Sequence, residues 1–151
     1  MIETFRPLLD AASGVALTDP ESACAELARR LDPASPAAAA LNRELVALLD
    51  ARKIADRGEL PVRWSRVTKS TPESGDFSID AVDMNGPGPH HVHPNGEVNW
   101  CVALEGEPRF DGRPAGWVVM SPGSGHVPTV SGGRMLIVYL LPGGRIEFTK
   151  S

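Results

Sequence analysis

Gly86-Pro87-Gly88-Pro89-His90-His91-Val92-His93-Pro94-Asn95-Gly96-Glu97 is the stretch on which the reading of this chain turns. His91 and His93 stand two residues apart, and the period of two in a β-strand puts both imidazoles on one face, with Val92 turned the other way. Pro94-Asn95-Gly96 is a turn signal, and Glu97 opens the next extended run, so a hairpin of this length would lay its carboxylate beside the two histidines. All four histidines of the protein fall within residues 90–126. His126 follows the Gly-rich corner Pro122-Gly123-Ser124-Gly125 and is a candidate fourth ligand, whereas His90 breaks the face parity and is expected at the rim.

One His-x-His alone reads as a pair of loop histidines. Joined by a carboxylate at Glu97 and a distal imidazole at His126, it reads as a metal site. Neutral imidazoles with one carboxylate and open positions suit a divalent transition metal, Fe, Mn, Ni or Zn, better than Ca or Mg, and nothing in the sequence chooses among the four.

Working outward, residues 59–151 are rich in Gly, Pro and β-branched residues, with extended runs expected at about 61–68, 76–84, 90–93, 97–104, 108–110, 115–120, 125–130, 134–141 and 144–149. Many short strands with frequent turns predict a sandwich or barrel. Met135-Leu136-Ile137-Val138-Tyr139-Leu140-Leu141 is too short to span a membrane and reads as a central strand buried on both faces. Residues 1–58 are instead Ala- and Leu-rich. Thr18-Asp19-Pro20-Glu21 and Ser35-Pro36 start helices, and the apolar stripe Leu41, Leu45, Leu48, Leu49 runs towards Gly58 as its stop. The fold class is therefore mainly β, a small jelly-roll β-barrel at 59–151 with an α-helical N-terminal extension at 1–58, together one compact domain.

A chain of 151 residues with net charge −4 bounds the partners. Lys and Arg number seven against nine acids in residues 1–58 and eight against ten in 59–151, so neither half carries the basic footprint of a nucleic-acid or membrane-surface binder. No signal peptide or apolar run of membrane-spanning length is visible, and the two cysteines, Cys24 and Cys101, do not form a disulfide framework. A cytoplasmic protein with a small-molecule partner is expected; the apolar helical faces must be buried on the barrel of the same chain or on a partner subunit, and a homodimer is expected.

The segment from Gly86 to Glu97 resembles the first motif of the cupin superfamily, His-x-His, a short spacer, then Glu. Gly116-Trp117-Val118-Val119-Met120-Ser121-Pro122 followed by His126 resembles the second. Two spacings depart from the common pattern. Gly106 lies nine residues after Glu97, and His126 lies four after Pro122. More closely, the chain is similar to the 4-hydroxylaminobenzoate lyases, through Ala55-Asp56-Arg57-Gly58-Glu59, the block from His91 to Gly106, and the ending from Gly132 to Phe148.

That resemblance implies conversion of 4-hydroxylaminobenzoate to protocatechuate with release of ammonia, in nitroaromatic degradation. His91, His93 and Glu97 would then be catalytic, with a metal or a protonated Glu97 serving as the acid at the N–O oxygen. An aromatic carboxylate needs a cation, preferably a guanidinium. Arg134, Arg145 and Arg109 are candidates, with Arg134 put forward. Asn99 and Cys101 share strand parity with Glu97 and are expected to line the pocket, and Tyr139 is a candidate hydrogen-bond donor. Trp64 and Trp117 are expected to pack against the helices. The competing readings are a metal-dependent cupin dioxygenase acting on a small aromatic and a non-enzymatic cupin that binds a small ligand.

Overall fold

Asp19 begins the helical layer by accepting the backbone N–H of Glu21 at 3.2 Å, with Pro20 at the first helical position. Ser35 repeats the device by accepting from Ala38 N at 3.1 Å. In the computed structural model, which describes residues 1–149, these caps open α2 (Pro20–Arg30) and α3 (Pro36–Asp50), preceded by α1 (Arg6–Ala12). Lys150 and Ser151, the last residues of the expected β segment, lie outside the described residues. α3 stops at Asp50, earlier than the sequence implies, with Arg52 at φ +57° turning the chain out of the helix. Gly58 belongs instead to the first strand. No helix among the described residues is long and apolar enough to cross a membrane.

Nine strands follow among the described residues: β1 (Arg57–Glu59), β2 (Val62–Thr68), β3 (Phe77–Met84), β4 (His91–His93), β5 (Glu97–Phe110), β6 (Gly116–Met120), β7 (Ser124–His126), β8 (Val130–Pro142) and β9 (Glu147–Phe148). They form two antiparallel sheets, one of six strands in the order β1-β2-β3-β8-β5-β6 and one of three in the order β7-β4-β9. The molecule is jelly-roll-like, and its two sheets face each other without closing into one continuous barrel. The run Met135–Leu141 is indeed central, in β8 between β3 and β5, and all seven side chains are buried. The runs expected at 97–104 and 108–110 form one strand, β5, whose register against β8 shifts at two irregularities.

Strand parity divides the six-stranded sheet. Ile79, Ala81, Val98, Trp100, Leu136, Val138 and Leu140 face the helices and pack with Leu8, Leu27, Leu41 and Leu45. The apolar helical stripes are thus covered by the chain's own sheet and require no second subunit. Trp117 packs there as expected, with its indole N–H donated to Leu31 O at 2.9 Å and its ring 4.8 Å from that of Trp100. The opposite face carries Val82, Met84, Cys101, Val118, Ile137 and Tyr139 towards the small sheet. Trp64 lies on that second face, 46% exposed, and not against the helices.

Candidate functional site

His91 and His93 occupy β4, both buried and on one face, as the period of two requires. β7 pairs with β4 so that His126 stands opposite His91 and Ser124 opposite His93. The short interval between Pro122 and His126 therefore does not keep His126 from the others. Glu97 arrives differently from the expected hairpin. β5 belongs to the six-stranded sheet, so Pro94-Asn95-Gly96 is a corner that carries the chain from one sheet to the other, with Gly96 at φ +86°. The carboxylate meets the histidines from across the sandwich.

One ligand atom from each of His91, His93, Glu97 and His126 lies within 4.8 Å of the other three. His91 Nε2 is 3.2 Å from Glu97 Oε2 and 3.1 Å from His126 Nε2, and His93 Nε2 is 3.2 Å from Glu97 Oε2. Outer partners turn the rings. His93 Nδ1–H donates to Ser124 Oγ at 3.1 Å, which itself donates to Ser121 O at 2.6 Å. His126 Nδ1–H donates to Asp111, whose other oxygen accepts Thr129 N at 2.9 Å. His93 is thus left with its Nε2 lone pair aimed inward, and that buried nitrogen has no hydrogen-bond partner among the described residues. The His93 Nε2 lone pair and the Glu97 oxygen 3.2 Å from it repel each other unless a cation lies between them.

The charge states fit such a cation. Burial pushes the His93 pKa down, outweighing attraction to Glu97, and keeps the ring neutral. Burial raises the Glu97 carboxyl, but hydrogen bonds from His91 and Asn99 and the neighbouring histidines more than offset this and hold it below its ordinary value. Glu97 is thus ionised and not the protonated acid that the sequence allowed. A neutral imidazole and an ionised carboxylate are the states in which these groups bind a divalent metal.

Asp111 stands before Gly112 in the sequence, with no local signal that ties it to His126. Carboxylate partners of ligating histidines typically contribute 10–100-fold to metal affinity or activity. Asp111→Asn is therefore expected to weaken metal binding roughly 10- to 100-fold, measured by competition with a chelator of known affinity.

The remaining candidates separate. Asn99 donates to Glu97 Oε1 at 2.7 Å and positions that carboxylate. Cys101 is fully buried in the apolar cluster with Val118 and Ile137, its thiol pushed well up by burial, and it is not on the wall of the adjoining cavity. Tyr139 is on that wall, its hydroxyl pushed well up by burial and bonded weakly to Met84 Sδ at 3.9 Å. His90 is half-buried at the edge and pairs with Thr149.

Arg134 does not reach the site. It shares parity on β8 with Leu136 and Val138 and so leaves the sheet on the helical side. There Nε and Nη2 donate to the buried Asp83 at 2.7 and 2.9 Å, and Nη1 to Glu105 at 2.6 Å. Arg109 and Arg145 are exposed, and neither lines the adjoining cavity.

The adjoining cavity holds about 450 Å³. Val62, Trp64, Val82, Met84, Ile146 and Phe148 supply its apolar wall, and His91 is the one member of the four-residue cluster that lines it.

An antiparallel jelly roll that gathers a His-x-His pair, a glutamate and a later histidine between its sheets is a cupin. Within that class, residues 20–148 match the family described as PnbB: 4-hydroxylaminobenzoate lyase, and the chain belongs to this family. It is 36% identical over 94 residues to a 4-hydroxylaminobenzoate lyase of Nocardioides sp. (strain LMS-CY), covering 57% of this chain and 56% of that one. To a 4-hydroxylaminobenzoate lyase of Pseudomonas putida it is 33% identical over 102 residues, covering 57% of this chain and 58% of that one. The match therefore spans little more than half the length of either curated relative. Among solved structures it is similar to an RmlC-like cupin protein from Ralstonia eutropha JMP134, with TM-score 0.44, 14% identity and 62% of each chain covered.

Proposed function

We propose that the protein is a lyase converting 4-hydroxylaminobenzoate to protocatechuate and ammonia, as a step in nitroaromatic breakdown. The observation that carries this reading is the family match over residues 20–148. The site supports it, because a cavity of about 450 Å³ with an apolar wall and the His91 and Tyr139 side chains at one end suits a single aromatic ring with a polar substituent.

The reaction is redox-neutral. Cleavage of the N–O bond releases hydroxide, water adds at the ring carbon beside the nitrogen-bearing one, and a second water hydrolyses the resulting imine to release ammonia. The substrate's own N–O bond is the oxidant, and one water is consumed in total. His91, His93, Glu97 and His126 would hold a divalent metal, which when bound would supply Lewis acidity. Asp111, Ser124 and Asn99 hold the rings and the carboxylate in place. Tyr139 keeps its proton and offers an O–H donor to the hydroxylamine end. Val62, Val82 and Met84 keep bulk water from the rest of the ring.

Metal-loaded protein given 4-hydroxylaminobenzoate without oxygen is expected to form ammonia and protocatechuate in equal amounts. Turnover that required O₂ would instead identify a dioxygenase. A thermal shift without either product would identify a binding protein and overturn the lyase.

A further inference from the structure

The wall of the cavity contains a charged pair that the reaction scheme leaves without a task. Arg66 on β2 is the cross-strand partner of Asp80 on β3, Asp80 that of Tyr139 on β8, and Tyr139 that of Asn99 on β5. Directly opposed residues share a face, so these four side chains form one row on the cavity side of the sheet. Arg66, Asp80 and Tyr139 all line the cavity.

Arg66 donates Nε–H to Asp80 Oδ1 at 2.8 Å and Nη2–H to Oδ2 at 3.2 Å. This side-on fork fixes the guanidinium against the wall. Nη1 has no hydrogen-bond partner among the described residues, so the Nη1/Nη2 edge stays available. The Arg66 side chain is 40% exposed, open to a ligand but not spread into solvent. Arg57 adds a second cation at the same end, its guanidinium 5.4 Å from the centre of the Trp64 ring.

The cavity is therefore polarised. Two strand spacings, roughly 10 Å, separate Arg66 from Tyr139 along the row. The Tyr139 ring lies 6.2 Å from that of His91. A para-substituted benzoate has the matching form, an anion at one end, a flat apolar middle and a polar nitrogen group at the other.

We infer that Arg66 is the residue that selects an aromatic carboxylate, its free guanidinium edge forking onto the carboxyl group while Asp80 fixes its orientation. A guanidinium fits a carboxylate through two parallel N–H bonds, which an ammonium cannot reproduce. The identity of the substrate rests on the lyase reading, but the requirement for a carboxylate does not.

The test compares wild-type holoenzyme with Arg66→Gln and Arg66→Lys, using 4-aminobenzoate and its neutral amide as calorimetric probes. Arg66→Gln is expected to weaken binding of the acid roughly 10- to 100-fold and to leave the amide unchanged. Arg66→Lys should recover part of the lost affinity for the acid only. With 4-hydroxylaminobenzoate, Arg66→Gln should raise KM by a similar factor with kcat largely retained, because Arg66 stands away from the reacting nitrogen. Acid binding as tight as wild type in Arg66→Gln, or equal loss of acid and amide, would overturn the assignment. A wild-type protein that discriminates acid from amide through Arg66 yet makes no ammonia would sink the lyase reading and leave the carboxylate site standing.

Discussion

The double variant His91→Ala/His93→Ala is expected to release no measurable ammonia from 4-hydroxylaminobenzoate and to retain no stoichiometric divalent metal. Two of the four convergent ligand groups are removed, and with them the ring nitrogens that lie 3.2 Å from the fully buried Glu97 carboxylate. On the proposed reaction, losing a Lewis acid worth several kcal/mol lowers the rate on the order of 10³-fold or more. The fold should persist, because neither histidine belongs to the apolar clusters that join the sheets and helices. Elemental analysis, an ammonia assay and circular dichroism on the same sample separate loss of site from loss of structure. Wild-type turnover in a folded double variant would remove the cluster from the mechanism.

The second large effect is on stability. Gly133→Ala is expected to destabilise the protein by more than about 4 kcal/mol, lowering Tm by roughly 10 °C or leaving the chain insoluble. Gly133 lies on β8 opposite Gly106 of β5, beside the irregularities in that pairing. A methyl group there would overlap the Glu105 carbonyl oxygen, standing 2.9 Å from its carbon and 3.3 Å from Gly106 Cα. These are backbone atoms of the longest strand pair, so neither side can yield without breaking register. Gly112 is the control. It has φ +80° but nothing among the described residues within 4 Å of an added methyl, so Gly112→Ala should cost only the left-handed backbone penalty of about 1–2 kcal/mol. Equal melting temperatures for the two variants would show that steric closeness at β5–β8 is not what requires Gly133.

The parts of the fold that could be read without coordinates are those governed by local chemistry. Asp19-Pro20 and Ser35-Pro36 begin helices because a side-chain oxygen and a preset φ act within three residues, and the structure has both caps. Met135–Leu141 reads as central because seven apolar residues need cover on both faces. His91 and His93 share a face because the strand period is two. Asp111 escaped notice because its partner, His126, is fifteen residues away and only pairing with the small sheet brings them together. Arg66 escaped for a similar reason. Its own strand carries two arginines, Arg63 and Arg66, and nothing local places Asp80 and Tyr139 beside the second.

By itself the sequence determined the helical and extended segments, the shared face of His91 and His93, and the donor types of the site, all of which follow from spacing along one chain. Only the tertiary structure decided that Glu97 meets the histidines from the facing sheet, that Arg134 leaves its strand on the helical side, and that Arg66 stands on the cavity wall. Those outcomes depend on which strands pair and in what register. A one-residue shift of register exchanges the two faces of a strand, and pairing is set by the burial of the whole chain and not by any local stretch.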